Sequence, residues 1–392
     1  MKNFSVLSLI LTVFLFLTAA NSLAAGGASS DLPGGVVLGY WQCGNGISTG
    51  VAIQNVKDFP VGVHFILYDQ CSREIMNFTV PLSGRDIWGG TISCEGGEIV
   101  IEGLPSHFEG PNNGSETRHA PKTSNFGYIV ASVTQVGTNK LVVRDFGTAV
   151  RACDGQNAGQ TPYHCNNDDP RDDLNWKNQV VHLPNALIMR LAIGNISSGV
   201  GMFINGISLI DFTNLGTYFG NDDDNGIILQ LEELAAFAPD LSAVGGGRFA
   251  LGSANGTYWA SYNQSCYNTT FVLIFPQSGV GCTNDIKLNL QIYDDNEVVT
   301  SGSLYVPEVA KIPVNKNIIS YLRGMIRIKV DNTYRINYDA LGAYPLPMFG
   351  YSIYEAPGVM MALPIVPEQK IFCVSGNCYI IGANVGPANT AY

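Results

Sequence analysis

Short strand-like runs recur along this chain, and helical periodicity is scarce. Several runs alternate apolar and polar residues with a period of two, and most are rich in β-branched or aromatic residues. The clearest lie at residues 61–68, 126–133, 270–275, 286–293 and 325–330, and turn-forming pairs such as Asn255-Gly256 punctuate the sequence. Short strands without intervening helices are typical of β-sandwiches, so the sequence predicts an all-β fold.

The N-terminus resembles a secretory signal peptide. Lys2 gives a positive start, an apolar run covers residues 6–20, and Ser22 and Ala24 are small residues of the kind that signal peptidase requires. The alternative is a membrane anchor, but the run is shorter than the roughly 20 apolar residues of a spanning helix. We expect residues 1–24 to be removed, with cleavage after Ala25 as the near alternative, and the protein to be secreted or held at the cell surface.

Length and charge restrict the organisation of the mature chain and its partners. Removing 24 residues from 392 leaves 368, which is more than one ordinary core holds, so we expect two domains. The formal net charge of −11 opposes binding to a phosphate backbone, and nucleic acid is not expected as a ligand. Beyond the N-terminus, no apolar run is long enough to predict a membrane span.

Two parts of the chain share a pattern of short motifs separated by strand-like runs. The first half contains Tyr40-Trp41, Tyr68-Asp69 and Val80-Pro81, and the second contains Tyr258-Trp259, Tyr293-Asp294 and Val306-Pro307. The pattern predicts two related β-sandwich domains, at residues 36–151 and 248–365. Chance similarity between two strand-rich stretches is the alternative.

The remaining segments differ in character from the two predicted domains. Residues 152–247 form a connecting segment that contains the best helix candidate, residues 229–237. Leu231, Leu234 and Ala235 would share one face of this helix, and Pro239 would end it. Residues 366–392 are predicted to be a C-terminal tail.

All nine cysteines lie in the mature chain, and an exported protein is expected to pair them in disulfides. Spacing predicts local bridges for Cys153 with Cys165, Cys266 with Cys282 and Cys373 with Cys378. If residues 51–56 and 61–69 form a hairpin, Cys43 falls opposite Cys71. A bridge that involves Cys94 is the alternative for that group.

One acidic segment matches most of a calcium-binding loop. Ligand positions 1, 3, 5 and 12 of an EF-hand loop correspond to Asn221, Asp223, Asn225 and Glu232, with Gly226 at position 6. Position 1 is Asn rather than Asp, and Leu229 at position 9 cannot bind through a water. The segment is therefore a candidate Ca²⁺ site. The alternative is an acidic surface turn whose side chains cap the following helix.

No catalytic motif is visible in the sequence. The five histidines show no H-x-x-x-H spacing, and there is no G-x-S-x-G elbow, although a site assembled from distant residues leaves no such trace. The four tryptophans and 18 tyrosines could form a sugar-binding platform, but aromatic residues in sandwiches more often pack inside.

The pattern resembles a group of uncharacterised bacterial secreted and cell-surface proteins. The matching blocks run from Val63-His64-Phe65 through Tyr68-Asp69 to Asp86-Ile87-Trp88, followed later by the segment 268–276. This resemblance implies export and immunoglobulin-like β-sandwich repeats, and it implies no activity. We therefore expect a secreted structural, scaffold or adhesive protein that acts through a surface ligand or self-association. The alternatives are an extracellular carbohydrate-binding module and a secreted hydrolase with an assembled site.

Overall fold

The computed structural model describes residues 27–29, 32–104, 116–136, 180–182, 184–195, 198–210, 213–215, 255–276, 281–315, 319, 321–331, 335–338, 342–346, 348–374 and 377–382. Every regular element in these ranges is a β-strand, which confirms the all-β prediction. Within the same ranges, no helix has the length and apolar character needed to cross a membrane.

The strands up to residue 215 are β1 (Gly27–Ser29), β2 (Val36–Gln42), β3 (Ile47–Asn55), β4 (Val61–Asp69), β5 (Glu74–Leu82), β6 (Ile87–Glu95), β7 (Glu98–Leu104), β8 (Glu116–Pro121), β9 (Phe126–Val136), β10 (Val180–His182), β11 (Leu187–Asn195), β12 (Val200–Asn205), β13 (Ile207–Ile210) and β14 (Thr213–Leu215). The strands from residue 257 onward are β15 (Thr257–Asn263), β16 (Asn268–Ile274), β17 (Ile286–Asp294), β18 (Val299–Val306), β19 (Val309–Val314), β20 (Arg323–Val330), β21 (Arg335–Tyr338), β22 (Gly342–Pro345), β23 (Phe349–Ala356), β24 (Val359–Pro364), β25 (Val366–Pro367), β26 (Gln369–Val374) and β27 (Asn377–Gly382).

Four antiparallel sheets carry the fold, and we number them as layers. Layer 1 has the strand order β12-β11-β3-β6-β7-β8, and layer 2 has the order β1-β13-β2-β9-β4-β5. Layer 3 has the order β19-β16-β23-β24, and layer 4 has the order β18-β17-β20-β15-β25. Layers 1 and 2 form the first unit, and layers 3 and 4 form the second. The pairs β10-β14, β21-β22 and β26-β27 form small separate sheets.

Layers 2 and 3 are the inner layers of the stack. All nine residues of β4 are buried, so this strand of layer 2 is covered on both faces. In β16 of layer 3, Val272 and Ile274 belong to the core shared with layers 1 and 2, whereas Phe271 and Leu273 belong to the core shared with layer 4. Since successive side chains of a strand point to opposite faces, layer 3 lies between the first unit and layer 4. The layers are therefore stacked in the order 1, 2, 3, 4.

The two units have the same topology. The order β13-β2-β9-β4-β5 in layer 2 corresponds to β25-β15-β20-β17-β18 in layer 4. The order β12-β11-β3-β6 in layer 1 corresponds to β24-β23-β16-β19 in layer 3. Corresponding strands also follow one another in the same sequence along the chain. The hairpin β7–β8 extends layer 1 beyond its counterpart.

An aspartate closes the equivalent turn in each unit. Asp69 ends β4, and its Oδ1 accepts hydrogen bonds from the backbone N–H of residues 71 and 73 at 2.8 and 3.0 Å. Asp294 ends β17, and its Oδ1 accepts from the backbone N–H of residues 296 and 298 at 2.9 and 2.8 Å. Ser72 and Glu297, three residues after each aspartate, both have positive φ angles. The matching Tyr-Asp motifs thus occupy equivalent strand ends.

The Tyr-Trp motifs, in contrast, do not occupy equivalent positions. Trp41 donates from Nε1–H to the carbonyl oxygen of Tyr68 at 3.0 Å, and the hydroxyl of Tyr262 donates to the carbonyl oxygen of Tyr293 at 3.0 Å. Trp41 pairs across the sheet with Gly127, and Tyr262 pairs with Gly324. The structural counterpart of Trp41 is therefore Tyr262, three residues beyond the tryptophan that the sequence pattern suggests.

The boundaries of the units differ from the sequence-based ones. In layer 1, β11 pairs with β3 and β12 pairs with β11. In layer 2, β13 pairs with β2. Part of the predicted connecting segment, 152–247, thus completes the first unit. Strand β25 pairs with β15, so the first residues of the predicted tail 366–392 belong to the second unit. The helix candidate at 229–237 and the signal peptide at 1–24 lie outside the described residues.

Two disulfides differ from the predicted pairings. Cys43 is bonded to Cys94, with their Cα atoms 5.3 Å apart, and not to Cys71. The predicted hairpin does not form, because β3 pairs with β11 and β6 in layer 1 whereas β4 pairs with β5 and β9 in layer 2. Cys43 instead lies in the hairpin between β2 and β3, and the pairing of β3 with β6 brings it next to Cys94 on β6.

The second bridge joins Cys71 to Cys282, with Cα atoms 4.6 Å apart, and links the two units. Cys266 is free and exposed, so the predicted bridge between Cys266 and Cys282 is wrong. These two residues lie at opposite ends of β16, and a seven-residue strand spans roughly 20 Å.

Two predicted cysteine pairs remain, Cys373 with Cys378 and Cys153 with Cys165. The register of β26 and β27 places Cys373 directly opposite Cys378, and the bridge between them stays a prediction. Cys153 and Cys165 lie outside the described residues.

Candidate binding groove

The exposed face of layer 1 has a groove with a floor of small residues. Cross-strand pairing aligns Phe203, Ala192, Gly50, Thr91 and Glu102 in one row across five strands. A neighbouring row contains Asn205, Arg190, Ala52 and Gly89. The groove has a volume of about 540 Å³ and is open to solvent along the sheet. Its floor is formed by Ala192, Gly50, Ala52 and Gly89, none of which has a side chain longer than a methyl group.

Three larger residues border this floor. The Phe203 side chain is 86% exposed, which is unusual for an aromatic ring on a monomer surface. Arg190 lies beside it on β11, and Glu102 stands at the far end of the row on β7. The groove therefore offers one aromatic face, one guanidinium group and one carboxylate around an apolar floor.

Two of the floor glycines have no packing reason to be glycine. A Cβ atom added at Gly50 would meet only Ala192 at 3.7 Å, and one added at Gly89 would lie 3.9 Å from its nearest neighbour, the carbonyl oxygen of Val51. Both distances are ordinary contacts. Glycine inside a strand costs about 0.5–1 kcal/mol relative to alanine. Glycine inside a strand often marks a position where a ligand or another backbone approaches closely.

Other glycines near the groove are needed by the fold itself. Gly103 has φ +86°, and a Cβ atom there would lie 2.8 Å from the carbonyl oxygen of Gly89. It sits at the irregularity in register between β7 and β8. A Cβ atom at Gly90 would collide with the ring of Trp88. These positions shape the groove wall, whereas Gly50 and Gly89 leave its floor open.

The lining residues do not form a catalytic set. Among the residues that the structure describes, the lining has one carboxylate and one guanidinium group, with no histidine, cysteine or second acid. A hydrolase needs a nucleophile with a base, or two acids, within reach of one substrate atom. In the part of the chain that the structure describes, no group of three or more His, Cys, Asp or Glu residues is arranged to hold a metal.

The strongly perturbed side chains between layers 2 and 3 lie away from the groove. Burial raises the pKa of Tyr40, Tyr128 and Tyr351 and lowers the pKa of His64 to about 4. Lys311 also lies here, where its Nζ donates to Oε1 of Gln42 at 3.0 Å. Burial lowers the pKa of this lysine, and a Coulombic interaction with Glu355 raises it. None of these groups lines the groove.

The residues singled out from the sequence are not brought together in the groove. Asn221, Asp223, Asn225 and Glu232 lie outside the described residues, so the Ca²⁺ site stays a prediction. Trp41 and Trp88 are buried, as expected for sandwich aromatics, and Trp176 lies outside the described residues. Trp259 is partly exposed on layer 4 and packs against Tyr293, with ring centroids 5.6 Å apart.

Comparison with known proteins adds little. No protein-family model and no curated protein sequence matches the chain. Among solved structures, an oxalate decarboxylase is 9% identical, with a TM-score of 0.18, over 84% of this chain and 68% of that one. Lactobacillus farciminis oxalate decarboxylase in a formate complex is 10% identical, with a TM-score of 0.17, over 83% and 74% of the two chains. Scores this low do not indicate a shared fold or a shared activity.

Proposed function

We propose that this is a secreted structural or adhesive protein that binds a partner through the exposed face of layer 1. The observation that carries the proposal is the groove floor, where Gly50 and Gly89 leave space that the fold does not require. The absence of an acid–base pair among the lining residues favours binding over catalysis.

The proposal includes the architecture that the sequence pattern suggests. The two units are related by duplication, and each is an immunoglobulin-like sandwich. The shared strand order and the matching turns at Asp69 and Asp294 support the duplication. Disulfides persist in oxidising compartments, so the bridges at Cys43 and Cys71 support export. N-terminal sequencing of the natural protein should begin at Ala25 or one residue later.

A carbohydrate-binding module is the second candidate, and Phe203 is the observation that favours it. An exposed aromatic ring beside a flat floor can stack on a sugar ring, while Arg190 and Glu102 supply hydrogen-bonding groups at the edge. This version predicts selective binding to a soluble or immobilised glycan.

One set of measurements tests these versions together. Purified protein is assayed for binding to cells of the producing organism, for binding to an immobilised glycan panel, and for turnover of ester, glycoside and peptide substrates. We expect surface binding that falls at least tenfold in Phe203→Ala and is retained in Val359→Glu, an exposed substitution on β24. Selective glycan binding lost in Phe203→Ala would establish the second candidate. Turnover abolished by a single substitution would overturn both.

A further inference from the structure

We propose that copies of this protein stack head to tail, with layer 1 of one copy docking on the outer face of layer 4 of the next. The inference rests on the proposed function, because it names a second copy of this chain as the partner of layer 1. It is drawn from the contact that the two units already make with each other.

Within the chain, the outer face of layer 2 is covered by layer 3. The residues on that face of layer 2 are buried and include Leu38, Tyr40, His64, Ile66, Tyr128 and Val130. The facing side of layer 3 includes Val272, Ile274, Phe349, Tyr351 and Ile353, which share a core with the first unit. Layer 3 also touches the edge of layer 1, where the hydroxyl of Tyr351 donates to the carbonyl oxygen of Asn205, the last residue of β12, at 2.9 Å. This interface joins two different faces, so it is head to tail rather than symmetric.

Each buried face has an exposed counterpart in the other unit. Layer 3 corresponds to layer 1, and layer 2 corresponds to layer 4. Thr49 of β3 and Thr269 of β16 are equivalent, because each hydroxyl bonds the backbone of the last residue of the preceding strand, Gln42 or Asn263. The next residues, Gly50 and Thr270, pair with Ala192 and Ile353, so Ala192 of layer 1 takes the position of Ile353. Met325 of layer 4 takes the position of Tyr128, because each follows the glycine paired with Trp41 or Tyr262. If a second copy repeated this internal contact, layer 1 of one copy would dock on layer 4 of the other. One layer 1 face and one layer 4 face would then stay free at the two ends of the stack.

The free faces differ from the buried ones in a complementary way. On layer 1 the side chains become smaller, with Ala52 in place of Val272 and Ala192 in place of Ile353. On layer 4 a row of side chains becomes larger, with Trp259 in place of Leu38 and Arg327 in place of Val130. Arg327 is held in position by hydrogen bonds to both carboxylate oxygens of Glu368 and to Gln291. A fixed ridge on one face thus meets a groove on the other.

The chemistry of layer 4 suits a reversible contact. Met325 is 47% exposed and Tyr305 is 55% exposed, and they lie on a sheet face with Lys287, Asn289 and Gln291. Mixed apolar and polar composition is typical of interfaces between proteins that also exist apart. We therefore expect association that depends on protein concentration, weaker than the contact between layers 2 and 3.

Complementation between two variants tests the proposal by sedimentation velocity. Ala192→Glu blocks the face on layer 1, and Met325→Glu blocks the face on layer 4, while Val359→Glu serves as a matched control. Wild-type protein and the control should form a series of oligomers as concentration rises to the millimolar range. Each blocked variant should stay monomeric alone. Their equimolar mixture should form a dimer and nothing larger, because only one intact pair of faces remains.

Several outcomes would overturn the proposal. A wild-type protein that stays monomeric at millimolar concentration excludes stacking, while cell-surface binding lost in Phe203→Ala would still leave the proposed function intact. A mixture of blocked variants that stays monomeric, beside a wild type that assembles, places the contact elsewhere. Circular dichroism and melting curves of each variant identify any loss of assembly that is due to unfolding.

Discussion

The two turn-closing aspartates show how one side chain can organise a hairpin. Oδ1 of Asp69 satisfies two backbone donors, and its Oδ2 forms an ion pair with Arg73 at 2.9 Å. The Asp69 side chain is fully buried, whereas the equivalent Asp294 is partly exposed and is followed by exposed residues. Removing the carboxylate at residue 69 leaves part-buried N–H groups without partners, and water can replace the carboxylate more easily at residue 294.

We therefore expect Asp69→Ala to lower the free energy of unfolding by about 2–4 kcal/mol and Asp294→Ala by about 1–2 kcal/mol. Urea denaturation followed by tryptophan fluorescence measures both. Asp295→Ala, at an exposed neighbour, is the control and should change stability little. Equal losses at residues 69 and 294 would contradict the role of burial.

The buried histidine gives the protein a pH dependence of known sign. His64 has a pKa of about 4 in the folded chain, because burial disfavours its charged form, against about 6.5 when unfolded. Between these values the unfolded chain binds more protons, so stability falls as pH falls from 6.5 to 4. The shift corresponds to about 3 kcal/mol. Melting temperature in His64→Gln should fall less over this range than in the wild type. His119→Gln, at an exposed ring, should behave as the wild type does.

At the scale of single elements, the apolar pattern of the sequence predicts where strands form. The short connections between strands do not predict which strands pair. The continuous apolar run at β4 predicts a buried strand, and the alternation around His64 places it on the face opposite Val63 and Phe65. The expected hairpin between β3 and β4 fails because a short connection can also carry the chain from one layer to another. The groove was missed because its floor comes from β3, β6 and β11, and local spacing does not show which distant strands become neighbours.

Glycines in the strands should respond to substitution in two opposite ways. A Cβ atom at Gly127 would collide with the carbonyl oxygen of Tyr68, so Gly127→Ala should destabilise the protein by about 1–3 kcal/mol. Gly50→Ala meets no such contact and should leave stability unchanged or raise it by about 0.5–1 kcal/mol. The same Gly50→Ala substitution should weaken partner binding. Equilibrium denaturation and the cell-binding assay check the two effects, and a destabilised Gly50→Ala variant would show that the fold needs this glycine.

For the whole molecule, stacking of four layers explains why equivalent faces differ in polarity. The face of layer 2 is apolar because layer 3 covers it, and the equivalent face of layer 4 carries Asn289, Gln291 and Arg327 because it is exposed. The sequence pattern predicts two related units but not their contact, because that contact depends on side chains from separate strands. The bridge between Cys71 and Cys282 fixes the contact covalently.

Removing that bridge should lower stability more than removing a free thiol. The chain-entropy model assigns about 5.4 kcal/mol to a closed loop of this length. The double variant Cys71→Ser with Cys282→Ser should therefore melt earlier in calorimetry, and Cys266→Ser should melt as the wild type does. A double variant with unchanged melting would mean that the contact between layers 2 and 3 alone sets the stability.

The same bridge also determines how the protein would respond to a pulling force. Cys71 and Cys282 are 211 residues apart in sequence, so tension applied to the two ends crosses the sulfur–sulfur bond and bypasses the chain between them. At about 3.4 Å per residue, roughly 700 Å of extension is withheld until the bond is reduced. This bond is a mechanical stop, and the redox state of the surroundings sets how far the molecule can stretch.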